Sequence, residues 1–401
     1  MDRFELIKML KQPSDEKIVL LVLDGLGGLP QNGKTELESA QTPNMDKLAS
    51  QSESGLMTPI ITGITPGSGP GHLALFGYDP LEFLIGRGIL SALGVKFPIR
   101  DGDLAARVNF ATLDAKGKVN DRRAGRIPDE INRAMCEKIR EIKIPGIEIF
   151  IETEKEHRAA LILRGEHFSE KLSETDPQKT GVPPLPVKAL DNKPETVHTA
   201  ELLNQFLSEV RKKLKDEKPA NGILLRGFAL HQRIPSFSEV YGLHACAIAG
   251  YPMYRGLASL VGMDVIETES GVEPQFKKFA EVWGQYDFYF LHIKYTDSRG
   301  EDGDFKAKVK VIEEVDRHLP AILKLKPDVL AITADHSTPS TYRAHSWHPV
   351  PTLVSSKWAR RSGVKKFGET ELLRGTLGTM HSMDLMLLVL AHAGKLAKFG
   401  A

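Results

Sequence analysis

A short apolar run, Val329-Leu-Ala-Ile-Thr, stops on Ala334-Asp335-His336, and His345 and His348 follow close behind. Carboxylate oxygen and imidazole nitrogen are donors for divalent cations of hard to intermediate character, and a strand end holds them on a rigid base. The same arrangement recurs twice. Asp24 ends the run Ile18-Val-Leu-Leu-Val-Leu and is followed by Gly25-Leu-Gly-Gly, and Asp297 comes just after Phe288-Tyr-Phe-Leu-His-Ile, heading an acidic stretch with Glu301, Asp302 and Asp304. Each has a plain alternative: Asp24 could cap its turn, the acidic stretch could be a solvated face, and a lone histidine is commonly hydrogen-bonded structure. Their co-occurrence favours a metal centre.

A second group of residues fits nucleophilic chemistry. Thr65-Pro-Gly-Ser68-Gly-Pro-Gly-His72 reads as a sharp turn leading into a helix expected to begin near His72. A serine there is presented to solvent, and amides at a helix start can hold anionic oxygens. Direct metal coordination would activate such a serine, whereas a helix-capping role is the structural alternative. A nucleophile elbow is absent, because Gly67 adjoins Ser68 where Gly-x-Ser-x-Gly needs a spacer. The glycines after Asp24 do not form a dinucleotide fingerprint: Pro30 takes the third glycine position and the acidic residue precedes the glycines.

The elements that must position these groups are legible from periodicity. Residues 18–23, 222–226, 244–249, 288–293 and 329–333 are short, apolar and bounded by turn residues, as strands buried on both faces are; 199–214 and 306–324 carry a helical period. This alternation predicts an α/β fold with a mostly parallel sheet, whose ligands gather at the carboxyl ends of strands. From 103 to 235 the texture changes to arginine-rich, with a proline-rich stretch at 180–186. This predicts a second lobe inserted into the first, with crossings near 98–103 and 233–238. Residues 1–102 and 236–401 then form the core, and 103–235 the insertion.

With 53 basic against 52 acidic residues in 401, no global field draws in nucleic acid or an anionic membrane, so any anion is recognised locally. Cys136 and Cys246 are the only cysteines, which excludes a disulfide framework and fits a reducing, cytoplasmic setting. The first residues read as a docking helix, and no apolar run approaches the ~20 residues that span a bilayer.

Taken together, the strand ending in Asp24-Gly, the Thr-Pro-Gly-Ser68-Gly-Pro-Gly-His loop with its Leu-Phe-Gly-Tyr-Asp-Pro continuation, the Thr-Asp297 strand end, Thr-Ala-Asp335-His336 and Ala-His345-Ser-Trp-His-Pro-Val-Pro resemble the archaeal-type cofactor-independent phosphoglycerate mutases of the alkaline phosphatase superfamily. Arg107-Val-Asn-Phe-Ala-Thr, Asp121-Arg-Arg-Ala-Gly-Arg and Tyr254-Arg-Gly-Leu-Ala extend the likeness over essentially the whole chain. The resemblance implies an alkaline-phosphatase-like α/β core with a smaller α/β cap domain inserted. It also implies interconversion of 3- and 2-phosphoglycerate, in glycolysis and gluconeogenesis, through a phosphoserine and without 2,3-bisphosphoglycerate.

By the same resemblance Ser68 is the nucleophile. One metal is held by Asp24, Asp335, His336 and Ser68, the other by Asp297, Glu301 and His345. His348 has no part. The family usually has histidine where this chain has Glu301, and glutamate is still an oxygen ligand for two divalent ions, with Mn²⁺ first and Mg²⁺, Zn²⁺ or Co²⁺ as alternatives. Arg122, Arg126, Arg158, Arg226 and Arg255 are implied to grip the small phosphorylated substrate, with Arg107 and Lys294 as secondary candidates. Asp121 is a candidate acid-base group, and His72 a support for the Ser68 loop. No nucleic acid or membrane partner is implied, and self-association is open. A related phosphotransferase or phosphatase, such as a homoserine-kinase-like enzyme, shares this site. A non-catalytic metal- or anion-binding module is the alternative of another class.

Overall fold

The computed structural model describes residues 1–83, 85–231 and 233–400. The chain divides into two compact units, Met1–Leu84 with Ile234–Ala401, and Ile85–Arg233.

The first unit is built on an eight-stranded mixed sheet in the order Gly378–His381, Glu53–Thr58, Val350–Ser356, Val329–Thr333, Ile18–Leu23, Phe288–Ile293, Ala245–Ala249, Asp264–Ile266. Ile18–Leu23 is central and buried along its whole length, which is why its sequence runs apolar without alternation. It pairs in parallel with Phe288–Ile293 and with Val329–Thr333, and the registers Leu23↔Ile293 and Val22↔Thr333 bring the three carboxyl ends level. Antiparallel pairing is confined to Val350–Ser356, which lies between Val329–Thr333 and Glu53–Thr58. The Phe305–Lys324 helix buries Ile312, Val315, Leu319 and Ile322 at the spacing its sequence predicts. The N-terminal Arg3–Leu10 helix docks as expected, with Phe4 edge-on to Tyr78 at 5.2 Å.

The second unit carries a five-stranded antiparallel sheet: Val119–Asp121, Leu104–Leu113, Arg158–Arg164 and Glu148–Lys155 in order, with Gly222–Leu230 also paired to Leu104–Leu113. The strand expected at 222–226 therefore exists but belongs to this sheet. Burial of a short apolar run does not reveal its partner. The helices Asp129–Arg140 and Pro194–Leu214 contribute Ile139, Leu203 and Phe206 to a core shared with Phe110, Leu161 and Leu225.

The first crossing falls at 84/85, earlier than the expected 98–103. The reason is the Arg87–Gly94 helix, whose Ile89 and Ala92 pack on Ala105, Ala160, Ile162 and Ala229 of the inserted unit's sheet. The second crossing, at 233/234, lies inside the expected 233–238. Among the described residues no helix is long and apolar enough to cross a membrane.

Candidate active site

The three level strand ends of the first unit deliver the polar groups. Asp24 follows Leu23 with its amide bonded to the Ile293 carbonyl at 2.9 Å. Asp335 and His336 follow Thr333 by two and three residues, and the side chains of Asp24, Asp335 and His336 are completely buried. One ligand atom each from Asp24, Asp335 and His336 lies within 4.8 Å of the others, and the same holds for Asp297, His336 and His345. His336 thus stands between two groups.

Ser68 opens the Ser68–Leu75 helix, four residues before the expected start at His72. Glycine and proline are poor helix formers, but close packing overrides propensity here: a Cβ on Gly71 would lie 2.6 Å from the Asp335 carbonyl oxygen. The Ser68 hydroxyl is consequently 3.1 Å from His336 Nε2, beside first-turn amides that lack intrahelical partners. His72, one turn on, supports this loop as expected, with Nδ1 2.8 Å from the Ser68 carbonyl and 3.1 Å from Asp335 Oδ2.

Two buried oxygens, Asp24 Oδ1 and Asp335 Oδ2, have no hydrogen-bond partner, although they lie 3.4 and 3.1 Å from His336 Nε2. Buried carboxylate oxygens left in this way are what a cation would satisfy, so the donor set fits a divalent ion. Burial penalises charge on Asp335, yet the imidazoles of His336 and His72 hold its carboxyl well below the usual range. For His336 burial also opposes charge, and the Asp335 and Asp24 carboxylates outweigh it, lifting the imidazole to about 9.

Asp297 is buried in the first turn of the Tyr295–Asp302 helix, where a solvated acidic face was the plain alternative. Its Oδ1 accepts from Thr338 Oγ1 at 2.7 Å and stands 3.5 Å from His345 Nε2. His345 bonds through Nδ1 to the Pro66 carbonyl at 3.0 Å and stacks on the His336 ring at 3.6 Å, so its Nε2 faces the site. Glu301 lies one helical turn beyond Asp297, half exposed, with Oε1 3.8 Å from His345 Nε2. It is the outermost of the expected ligands. His348 turns aside to Ser346 Oγ.

Sequence reasoning left several groups here unassigned or secondary. Lys294 Nζ reaches Asp297 Oδ2 at 2.5 Å, Asp24 Oδ2 at 3.4 Å and the Tyr254 hydroxyl at 3.0 Å, bridging both ligand groups. His292, from inside the buried strand, sits 3.0 Å from Asp24 Oδ2 and stacks on Tyr254 at 3.8 Å. Lys308, fully buried, donates to the carbonyls of Gly25, Gly27 and Thr338. A histidine within an apolar strand was the only available signal for His292; Lys308 had none.

In the inserted unit Arg122, Arg158 and Arg226 line a polar cavity of about 120 Å³, together with Arg87, Arg107 and the buried His157. Carboxylates hold two of these guanidiniums in place: Asp176 takes Arg122 by both oxygens at 2.8 and 2.7 Å, and Glu174 takes Arg226 at 3.2 Å. Arg126 is exposed and not among the lining residues, and Arg255 is on the Pro252–Leu260 helix of the first unit. Asp121 spends both oxygens on the turn that follows it, accepting from the amides of Arg123 and Gly125.

Residues 16–392 match the model of the metalloenzyme superfamily. The chain is 53% identical over its full length, and that of its relative, to a probable 2,3-bisphosphoglycerate-independent phosphoglycerate mutase of Thermus thermophilus. It is 50% identical, again over both full lengths, to the corresponding protein of Thermotoga maritima. Among solved structures, a cofactor-independent phosphoglycerate mutase from Thermoplasma acidophilum is similar at 31% identity and a TM-score of 0.74, over 94% of this chain and all of that one. A Pyrococcus horikoshii protein is similar at 33% identity and a TM-score of 0.81, over 98% and 100%. The convergent carboxylates and imidazoles around Ser68 and these full-length likenesses lead to one family: the chain belongs to the archaeal-type, 2,3-bisphosphoglycerate-independent phosphoglycerate mutases of the metalloenzyme superfamily.

Proposed function

We propose that this chain interconverts 3- and 2-phosphoglycerate in the cytoplasm, without 2,3-bisphosphoglycerate, through a phosphoserine at Ser68. The observation that carries this reading is the Ser68 hydroxyl, 3.1 Å from His336 Nε2 at a helix start, amid buried carboxylate oxygens without partners. Asp24, Asp335 and His336 with Ser68 would hold one divalent cation, and Asp297 and His345 with Glu301 the other. Bound there, two cations (Mn²⁺ first, Mg²⁺, Zn²⁺ or Co²⁺ otherwise) would neutralise charge on the phosphoryl oxygens and make the serine hydroxyl more acidic.

The Ser68 oxygen forms a bond to phosphorus as the bond from phosphorus to the substrate's 3-oxygen breaks, leaving glycerate and phosphoserine. The 2-hydroxyl of the retained glycerate then attacks the same phosphorus and Ser68 leaves. To Lys294, which bridges Asp24 and Asp297, we assign a contact with a phosphoryl oxygen. We assign recognition of the substrate's anionic groups to Arg122 and Arg226, whose forks are already oriented by carboxylates, and to Arg158 in the same cavity, with Arg126 and Arg255 in lesser roles.

Purified protein with Mn²⁺ and 3-phosphoglycerate, and no 2,3-bisphosphoglycerate, is expected to yield 2-phosphoglycerate. Release of inorganic phosphate instead would make it a phosphatase, and neither product would leave a binding module. Ser68→Ala is expected to abolish turnover with the circular dichroism spectrum unchanged; substantial residual mutase activity would refute the covalent route.

A further inference from the structure

The Thr338 side chain touches a candidate ligand of each cation group. Thr338 is fully buried, and its hydroxyl lies 2.7 Å from Asp297 Oδ1 and 3.0 Å from His336 Nδ1. A carboxylate oxygen only accepts, so the hydroxyl proton goes to Asp297. The hydroxyl must then accept from His336, which places a proton on Nδ1, so that when a cation displaces the other ring proton the lone pair stands on Nε2. That nitrogen faces Asp24, Asp335 and Ser68. The backbone of Thr338 is fixed independently of the hydroxyl: its amide donates to the carbonyls of Gly25 and Gly27, and its carbonyl accepts from Lys308. Gly25, at φ +63°, makes room, since a Cβ there would lie 2.5 Å from Thr338 Oγ1.

We propose that Thr338 is a positioning residue shared by both cation sites, its hydroxyl setting the tautomer of His336 for one and the orientation of the Asp297 carboxylate for the other. This rests on the two-cation reading above. Groups that orient metal ligands in this way typically alter metal affinity by 10–100-fold when removed.

The test is Mn²⁺ binding to the metal-stripped protein by calorimetry, for the wild type, Thr338→Val and Thr338→Ser. Valine keeps the shape and the backbone bonds and lacks the hydroxyl, so both ions should bind about tenfold or more weakly while the circular dichroism spectrum of the metal-free protein stays that of the wild type. Serine should restore both affinities to near the wild-type values. Wild-type affinity at both sites in the valine variant overturns the proposal, as does weakening of one site alone, which would reduce Thr338 to a local support. A wild-type protein that takes up fewer than two ions overturns the two-cation reading itself, and this proposal with it.

Discussion

His157 is a neutral imidazole among guanidiniums. It is 3% exposed, and burial first, then the charge of Arg158, brings its pKa from 6.5 to about 4. The unfolded chain takes up this proton near pH 6.5 and the folded chain only near 4, so the contribution to stability is complete above pH 6.5 and is lost as pH falls through 4. At 1.36 kcal/mol per pH unit the difference amounts to ~3 kcal/mol. His157→Gln should remove that acid sensitivity. Urea unfolding of the inserted unit at pH 7 and pH 4 checks it, and equal pH dependence in both proteins would contradict the burial argument. Legibility differs sharply at this scale. Asp24, Asp335 and His336 were visible because a continuous apolar strand ending in a charge is itself a pattern. Thr338 and Tyr254 were not, because a hydroxyl gains its role from partners brought together only by the sheet. Glu301 was visible by position, but its half-exposed side chain follows from a helix that the acidic stretch did not announce.

Among the elements, the Phe305–Lys324 helix was the easiest to read and concealed the most. Its apolar period predicts which face is buried, and a lysine would be placed in solvent, yet Lys308 is completely buried and binds three carbonyls. Burial pulls its ammonium below the ordinary value against the opposing charges of Glu36 and Glu369. Those carbonyls belong to the turn after Ile18–Leu23 and the turn after Val329–Thr333, so one side chain ties together the two loops that carry Asp24 and Asp335-His336. Lys308→Met keeps the length; the Gly25 and Gly27 carbonyls retain the Thr338 amide while the Thr338 carbonyl loses its lysine donor, so at roughly 1–3 kcal/mol for an unpaired buried group the cost should be ~1–3 kcal/mol. Denaturant unfolding measures it, and a loss below ~1 kcal/mol would mean that water or a shifted backbone replaces the ammonium. The Arg87–Gly94 helix was missed as part of the insertion for a related reason: its apolar face states that it packs, and not on which sheet.

For the whole molecule, the division into two units makes a prediction that neither residues nor elements make alone. Every side chain assigned to the two cations lies in Met1–Leu84 or Ile234–Ala401, and none lies in Ile85–Arg233. A ligand that binds only the folded state stabilises by RT ln(1 + [L]/Kd), so Mn²⁺ at 100-fold above Kd adds ~2.7 kcal/mol per ion, and two independent ions would add about 5 kcal/mol. Chelation should therefore lower the unfolding transition of the first unit and leave that of the inserted unit in place. The chain supplies its own reporter: its three tryptophans, Trp283, Trp347 and Trp358, and its eight tyrosines all lie outside 85–233. Aromatic fluorescence thus follows the first unit alone, while far-ultraviolet circular dichroism follows both. With EDTA the fluorescence transition should move to lower temperature and part from a second dichroism transition that stays fixed. If both signals move together by the same amount, the two units unfold as one cooperative system, and cation binding stabilises the inserted unit as much as the one that supplies the ligands.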